Sequence, residues 1–251
     1  MFGKTFKKKI LVTGGTGNLG KALKKNTFFK NSHFPSKEVL NILDKNKLKI
    51  YFNKNKYNII IHCAAIARMY DCEVNKKKAY LVNVIGTSNL AKITKDYCPN
   101  ALFVYISSDA VYPCVKGNYK ENSKLKSYNY YGKTKIFAEN KVKKNKNYLI
   151  IRTRFFDKKK IGFKDAAIDS YSSSIEINLL TKYLEMLVKK NCKGIFNVGR
   201  KKISDYNLLK RYKKNIKKTT IKKIREKKKY NLSIDASMNC NKFKKILNVK
   251  K

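Results

Sequence analysis

The sequence contains no tryptophan, only two histidines and three prolines, and only 16 acidic residues among 251. No uninterrupted apolar run approaches the roughly 20 residues that a membrane-spanning helix requires. The basic first residues are followed by a short strand pattern and glycines, not by the apolar region of a signal peptide. The six cysteines form no CxxC pair, and with two histidines they indicate neither a zinc site nor a disulfide framework. We therefore expect a soluble, cytoplasmic protein with no metal site.

Arginine is also scarce, although the chain is strongly basic. Of its 60 basic residues six are arginine and 54 are lysine, and the formal net charge is +44. With abundant asparagine, isoleucine and tyrosine, this bias is typical of an AT-rich coding sequence. Phosphate recognition would favour arginine, whose planar guanidinium binds two oxygens at once. We interpret the charge as solvated surface lysine, which attracts nucleic acid only non-specifically and concentrates anionic substrates such as nucleotides.

Strand patterns alternate with helix patterns along the chain, which predicts an α/β fold with a doubly wound parallel sheet. Strands are expected at 9–13, 57–63, 102–107, 148–152 and 194–199, with a candidate short strand at 220–225. Helices are expected at 18–30, from Asp44 onward, and at 75–97, 128–144, 176–189, 204–216 and 239–247. The segment 33–43 shows no clear second strand. Ligands of such sheets bind at the carboxyl ends of the strands.

The first strand pattern ends in a glycine-rich turn. Residues 10–20 read ILVTGGTGNLG, which places glycines at 14, 17 and 20 before a predicted helix. Glycines allow the backbone to turn sharply and to approach a phosphate without a clashing Cβ atom. The free N–H groups at the start of the helix then face the phosphate charge. The pattern predicts a pyrophosphate site for a dinucleotide.

A second signature is the pair Tyr131 and Lys135, which lie four residues apart on a predicted helix and therefore on one face. A phenol with an ordinary pKa near 10 is a poor acid–base group at neutral pH. A neighbouring ammonium favours the ionised phenol and lowers that pKa. Ser108 stands at the end of the strand 102–107, before the tyrosine in the chain. The three side chains together predict a proton-transfer site.

In these features the chain resembles the extended short-chain dehydrogenases/reductases, and within them it is most similar to the dTDP-4-dehydrorhamnose reductase group. The resemblance covers nearly the whole chain in order and spacing, and the set of glycine turn, serine and Tyr-x-x-x-Lys is highly specific for the superfamily. The matching stretches are 13–20, 62–65, 71–73, 83–87, 107–112, 119–121, 131–135, 152–154, 194–199 and 232–235.

The resemblance implies roles for individual residues. Ser108 is expected to hydrogen-bond the sugar oxygen, Tyr131 to donate a proton to it, and Lys135 to bind the nicotinamide ribose and tune the tyrosine. No metal ion is implied. The residues expected to hold the cofactor are Gly14, Gly17, Asn18, Leu19, Gly20, Ser36, Lys37, Asn41, Ile42, Ala64, Ala65, Tyr131 and Lys135.

The resemblance also implies a Rossmann-like NAD(P)-binding domain at 1–155 and a small C-terminal substrate-binding lobe at 156–251, with 176–199 returning to the Rossmann sheet. NAD-preferring sites carry an acidic residue near the end of the second strand. Here the corresponding residues are Ser36 and Lys37, and a hydroxyl with a cation suits the 2′-phosphate of NADPH, with NADH as the alternative.

The expected activity is NAD(P)H-dependent reduction of a 4-keto sugar nucleotide in deoxysugar or surface-polysaccharide biosynthesis. Two alternatives remain open: a sugar-nucleotide epimerase or dehydratase that uses the same Ser, Tyr and Lys, and a non-catalytic dinucleotide-binding subunit. The stretch 154–169 is shorter than in similar enzymes, where it forms part of the substrate pocket and of a subunit contact. The expected partners are a nucleotide sugar and, on self-association, a second copy in a homodimer, without specific nucleic-acid or membrane binding.

Overall fold

The computed structural model of the protein describes residues 8–228 and 231–249. Most of the basic first residues, Met1 to Lys7, lie outside the described residues. The core of the fold is a parallel five-stranded sheet with the strand order β1-β2-β3-β4-β9. Its strands are β1 Ile10–Thr13, β2 Ile59–His62, β3 Leu102–Ser108, β4 Tyr148–Thr153 and β9 Gly194–Asn197.

The strands of this sheet are buried on both faces. Every residue of β1, β2 and β3 is buried, as expected for continuous apolar strands covered by helices on either side. One core cluster includes Leu23 and Leu184 and packs on one face, and a second includes Phe52 and Leu90 and packs on the other. The predicted doubly wound α/β sheet is confirmed.

The described residues form ten α-helices, of which α1 to α8 lie between strands in the chain and α9 and α10 follow the last strand. They are α1 Asn18–Lys25, α2 Lys45–Lys54, α3 Met69–Val74, α4 Lys76–Tyr80, α5 Thr87–Tyr97, α6 Tyr130–Val142, α7 Ile177–Lys189, α8 Asp205–Lys210, α9 Ile221–Lys228 and α10 Asn241–Leu247. A π-helical segment, Leu81–Gly86, joins α4 to α5. A short 3₁₀ turn, Asp109–Val111, follows β3.

Three of the predicted elements need correction. The helix expected over 18–30 ends at Lys25, because the Asn26 side chain accepts hydrogen bonds from the backbone of Phe28 and Phe29 and draws the chain into turns. The helix capped by Ser204 ends at Lys210 instead of 216. The segment 220–225 is helical and not a strand, since the Asp169 carboxylate accepts the free N–H of Ile221 at 2.7 Å and caps α9.

Where a second strand would follow the first helix, the structure has a single β-bridge. His33 pairs with Leu11 at the edge of the sheet, where its backbone exchanges 2.8 Å hydrogen bonds with Ile10 and Val12. No strand is assigned between 33 and 43, in agreement with the irregular pattern of that segment.

The C-terminal part beyond β4 carries three two-stranded sheets, β5-β8, β6-β11 and β7-β10. The strands are β5 Phe155–Phe156, β6 Asp165–Ala167, β7 Tyr171–Ser172, β8 Ile175–Glu176, β10 Ile203–Ser204 and β11 Lys217–Thr219. These short pairs are separate from the main sheet, and α8 packs against β6 and β10. The division of the chain at residue 155 stays a prediction.

A buried ion pair connects α6 to β4 at the centre of the fold. Arg152 of β4 donates to both carboxylate oxygens of Glu139 of α6, at 2.9 and 2.7 Å, and both residues are essentially inaccessible to solvent. The same guanidinium reaches the Tyr112 hydroxyl at 2.8 Å, and Glu139 also accepts from Ser107 at 2.6 Å. These bonds fix α6 against the ends of β3 and β4, where the candidate site lies.

Candidate active site

Two cavities adjoin at the carboxyl ends of the strands. One, of about 350 Å³, lies over β1, β3 and β4, and the other, of about 330 Å³, lies beside β1 and β2. Gly14, Gly17, Cys63 and Ala65 line both cavities, so the two form one groove bent around the glycine turn. Every site residue that the sequence predicts lines one or both of them.

The glycine turn is tight enough to exclude side chains. Gly14 has a φ of +72°, and a Cβ atom there would lie 2.6 Å from the backbone nitrogen of Ala64. A Cβ atom at Gly20 would lie 2.4 Å from the Gly14 oxygen. At Gly17 the nearest atom is 3.3 Å away. Since α1 begins at Asn18 immediately after this turn, its free N–H groups open toward the groove.

The cavity beside β2 carries several of the residues expected to hold the cofactor. Ser36, Lys37, Asn41 and Ile42 line it together with Ala64. The segment 40–43 reaches this wall because Gly86 of the π-helical segment leaves room for it: a Cβ there would lie 2.6 Å from Ile42 Cδ1. The acidic Glu38 is not among the lining residues; its pKa is lowered, first by a hydrogen bond from Ser36.

The cavity over β3 brings the proton-transfer residues together. Ser108 ends β3, Tyr131 and Lys135 lie on α6, and all three line this cavity with Asn18, Leu19 and Gly20. The helix is held close by Gly132, where a Cβ atom would lie only 2.1 Å from the Ala110 oxygen. Its start is fixed by Asn129, whose side chain accepts the Gly132 N–H at 2.8 Å.

The charged lysine is enclosed by aromatic rings. Lys135 is 3% exposed, and it is the buried lysine of the described part of the chain. Its ammonium lies 4.4 Å from the centre of the Tyr105 ring and 5.9 Å from that of Tyr131. Burial lowers the pKa of Lys135 to about 8, and this effect is partly opposed by Cys63, Glu139 and Cys72.

One electrostatic expectation is wrong. The sequence predicts that Lys135 lowers the pKa of Tyr131, but burial raises the pKa of this phenol well above 10. The groups that oppose the increase are the neighbouring Ser108 and Arg154. The tyrosine carries its proton at neutral pH, as a phenol with an ordinary pKa also would.

The Arg154 side chain, for which the sequence predicts no role, lines the same cavity. It forms an ion pair with the buried Asp109, which neighbours Ser108. Phe155 and Met69 line the same cavity. The available signal was compositional, since an arginine is unusual in a chain with 54 lysines.

His62 is a structural residue rather than a ligand. Its ring nitrogens bond the hydroxyls of Thr13 at 2.7 Å and of Thr87 at 2.9 Å. Burial lowers the pKa of His62 to about 3, so the ring is neutral. In the residues that the structure describes, no three His, Cys, Asp or Glu side chains are placed to hold a metal ion. Across residues 8–228 and 231–249, no helix combines the length and apolar character needed to cross a membrane.

The parallel sheet, the glycine turn and the converging Ser, Tyr and Lys are features of the extended short-chain dehydrogenase/reductase superfamily. Residues 8–181 match the model of the family described as "RmlD substrate binding domain", and the chain belongs to that family.

Two solved structures illustrate the shared fold. The dTDP-4-dehydrorhamnose reductase of Bacillus anthracis, solved with NADP, superposes with a TM-score of 0.85 over 97% of this chain and 94% of that chain, at 22% identity. A hypothetical dTDP-4-dehydrorhamnose reductase of Sulfolobus tokodaii gives 0.79 over 95% and 94%, at 26% identity.

Curated relatives match over a shorter stretch. The β subunit of methionine adenosyltransferase 2 from Xenopus laevis is 36% identical over 148 residues, which are 55% of this chain and 43% of that protein. The spore coat polysaccharide biosynthesis protein SpsK of Bacillus subtilis is 32% identical over 152 residues, covering 58% and 52%. The chain therefore spans about half the length of the curated relatives it matches or less.

Proposed function

We propose that the protein is an NAD(P)H-dependent reductase of a 4-keto sugar nucleotide. The observation that carries this proposal is the convergence of Ser108, Tyr131 and Lys135 in a cavity that continues into the groove around the glycine turn. Membership of the RmlD family and the fold shared with dTDP-4-dehydrorhamnose reductases support it. The nucleotide sugar, cytoplasmic location and homodimer expected from the sequence remain predictions.

The residues present fit a nicotinamide dinucleotide. The turn at Gly14 and Gly20 has no room for a Cβ atom, which is the condition for a backbone to cradle a pyrophosphate. The two adjoining cavities give separate places for the two halves of such a molecule. A bound reduced nicotinamide would supply the hydride. Ser36 and Lys37 in the second cavity favour NADPH, with NADH as the alternative.

The proton chemistry follows from the side chains themselves. Tyr131 holds its proton on the phenol oxygen at neutral pH, because its pKa is not below the ordinary phenol value of about 10. It can therefore donate that proton to a ketone oxygen as negative charge develops there. Ser108 lies beside it as a second hydrogen-bonding group. The Lys135 ammonium, whose pKa is about 8, lies 5.9 Å from the centre of the Tyr131 ring and supplies a positive charge near the reacting atoms.

Dehydration is disfavoured by the state of Asp109. A dehydratase needs an acidic group beside the serine that is free to exchange a proton, and Asp109 occupies that position. Here the carboxylate is 2% exposed and lies 2.7 Å from Arg154 Nε, so its negative charge is paired with a fixed cation. An epimerase, which would use the same Ser, Tyr and Lys, stays open as an alternative.

A second candidate is a non-catalytic dinucleotide-binding subunit. The observation that favours it is the 36% identity to a protein named as the β subunit of methionine adenosyltransferase 2. The intact set of Ser108, Tyr131 and Lys135 argues against it, since a subunit that only binds has no physical need for all three.

One assay distinguishes these functions. The purified protein is incubated with NADPH or NADH and a panel of nucleotide 4-keto sugars, and the absorbance of the reduced nicotinamide is followed. Oxidation stoichiometric with sugar reduction supports the reductase. Sugar conversion without net oxidation supports an epimerase, and dinucleotide binding without any turnover supports the subunit and contradicts the proposal.

A further inference from the structure

The Arg154 side chain connects the catalytic serine to the C-terminal part of the chain. Its Nε lies 2.7 Å from Asp109 Oδ2, and its Nη2 donates to Ser233 Oγ at 3.1 Å. Asp109 Oδ2 receives no aligned hydrogen bond, so charge attraction holds this oxygen. The other carboxylate oxygen accepts the hydroxyl of Ser108 at 3.1 Å. The chain of contacts thus runs from Ser233 through Arg154 and Asp109 to Ser108.

The C-terminal end of this chain is itself fixed. Ser233 is 5% exposed, and its carbonyl accepts the Ser170 hydroxyl at 3.1 Å. The Ser170 carbonyl accepts the backbone N–H of Asp205, at 2.8 Å. Arg154 therefore stands between the catalytic strand ends and a buried polar cluster of the C-terminal part, and it has little freedom to leave Asp109.

An ionised carboxylate can only accept hydrogen bonds, whereas a protonated one can also donate. With Asp109 ionised, the single hydroxyl hydrogen of Ser108 points at Oδ1, and the Ser108 oxygen accepts from the Ala110 N–H at 3.1 Å. A protonated Asp109 could reverse this bond and turn the serine hydrogen toward the cavity. The charge state of Asp109 therefore sets the orientation of the Ser108 hydroxyl beside Tyr131.

We propose that Arg154 is a positioning residue of the active site, which keeps Asp109 ionised and thereby fixes the direction of the Ser108 hydroxyl. This inference rests on the proposed function for its catalytic consequence, but the ionisation of Asp109 is testable without any substrate. Arg154 acts through Asp109. It follows the last residue of β4, and its hydrogen bond to Ser233 connects the site to the C-terminal part.

Several titratable groups face Asp109. Burial raises the pKa of this carboxyl, and the charge of Asp205 adds to the increase, whereas Arg154 lowers it. Cys114, Tyr128 and Tyr131 also lie within electrostatic reach, and each has its own pKa raised by burial, so all three are neutral at pH 7. Arg154 is thus the cation that opposes protonation of Asp109 in this environment.

The test is infrared spectroscopy of the full chain in deuterated buffer at neutral pH, which resolves the carbonyl stretch of a protonated carboxyl group from the amide bands. Arg154→Met is expected to show this band, and Arg154→Met/Asp109→Asn to lack it. The double variant is needed because Arg154 also lowers the pKa of Asp205. Arg154→Lys, which keeps a cation, should lack the band, as should the wild type.

The controls separate ionisation from folding and from activity. Arg211→Met removes an exposed arginine that lines a different cavity, and it should change neither the spectrum nor turnover. If Arg154→Met does not fold, Arg154→Gln replaces it. The proposal is overturned if folded Arg154→Met, or Arg154→Gln in its place, lacks the band. It is also overturned if the band persists in Arg154→Met/Asp109→Asn.

Turnover supplies the second readout. With a working keto sugar, Arg154→Met should lose about tenfold or more in kcat at neutral pH, as expected for a misplaced catalytic group. Arg154→Lys should recover part of that loss. If the wild type reduces no keto sugar, the proposed function fails, while the infrared result still decides whether Arg154 controls Asp109.

Discussion

Burial shifts the pKa values of Tyr131 and Lys135, and the spacing of the two residues in the sequence does not predict these shifts. Tyr131 and Lys135 are spaced as an acid–base pair, yet burial raises the pKa of the phenol and lowers that of the ammonium to about 8. Both shifts favour the neutral forms in the protein alone. An anionic ligand in the groove would favour the charged lysine again, which couples its protonation to binding.

The buried lysine predicts a pH-dependent stability. The pKa of Lys135 is about 8 in the folded chain and 10.5 is its ordinary value, so the unfolded chain holds this proton over that interval and the folded chain does not. The free energy of unfolding of the wild type should therefore rise from pH 8 to 10.5, relative to Lys135→Met, by about 3 kcal/mol. Denaturant titrations of both proteins across this range measure the difference. A difference that stays constant with pH would contradict the shifted pKa.

At the scale of elements, the glycine turn is the part of the site whose geometry the sequence predicts best. A left-handed φ at Gly14 and close backbone contacts at Gly20 are the physical reasons for glycine at those positions. The close contact between Gly132 of α6 and the 3₁₀ turn after β3 was not predicted, although it brings Tyr131 toward Ser108. Their contact joins residues distant in sequence, and no local pattern reveals it.

The turn predicts the effect of one added methyl group. Gly20→Ala places a Cβ 2.4 Å from the Gly14 oxygen and 2.6 Å from the Gly15 Cα, so the turn must shift. We expect a loss of about 1–3 kcal/mol in stability and at least a tenfold loss in dinucleotide affinity, measured by denaturation and by calorimetric titration. Gly162→Ala is the matched control, since nothing lies within 4 Å of its Cβ position. Equal dinucleotide affinities of the two variants would contradict the proposal that the glycine turn binds the pyrophosphate.

At the scale of the whole molecule, the order of the five main-sheet strands was predictable because apolar strand patterns and helix patterns alternate. The short strands of the C-terminal part were not predicted. The predicted boundaries fail where side chains compete with the backbone, as Asn26 and Asp169 do. The pairing of Arg152 with Glu139 was not predicted either, because it depends on the position of α6 against β4. The same holds for Arg154 and Asp109, which only the folded sheet brings together.

The central ion pair predicts a large effect on stability. Arg152→Met leaves the Glu139 carboxylate buried without its guanidinium, which costs about 3–5 kcal/mol. Arg152→Met/Glu139→Leu removes both charges and should recover part of this loss. Urea denaturation of the two variants measures the effect. A loss below about 1 kcal/mol for the single variant would show that the pair does not hold the sheet and α6 together.

The most direct test of the account compares the wild type with Tyr131→Phe on a keto-sugar nucleotide, with dinucleotide binding measured on the same samples. The phenol oxygen is the proton donor in the proposed reduction, so its removal should lower turnover by about a hundredfold or more. Binding of the dinucleotide should change little, because the glycine turn and Lys135 remain. Full activity of Tyr131→Phe, with unchanged binding, would contradict the assignment of this tyrosine and with it the proposed reductase site.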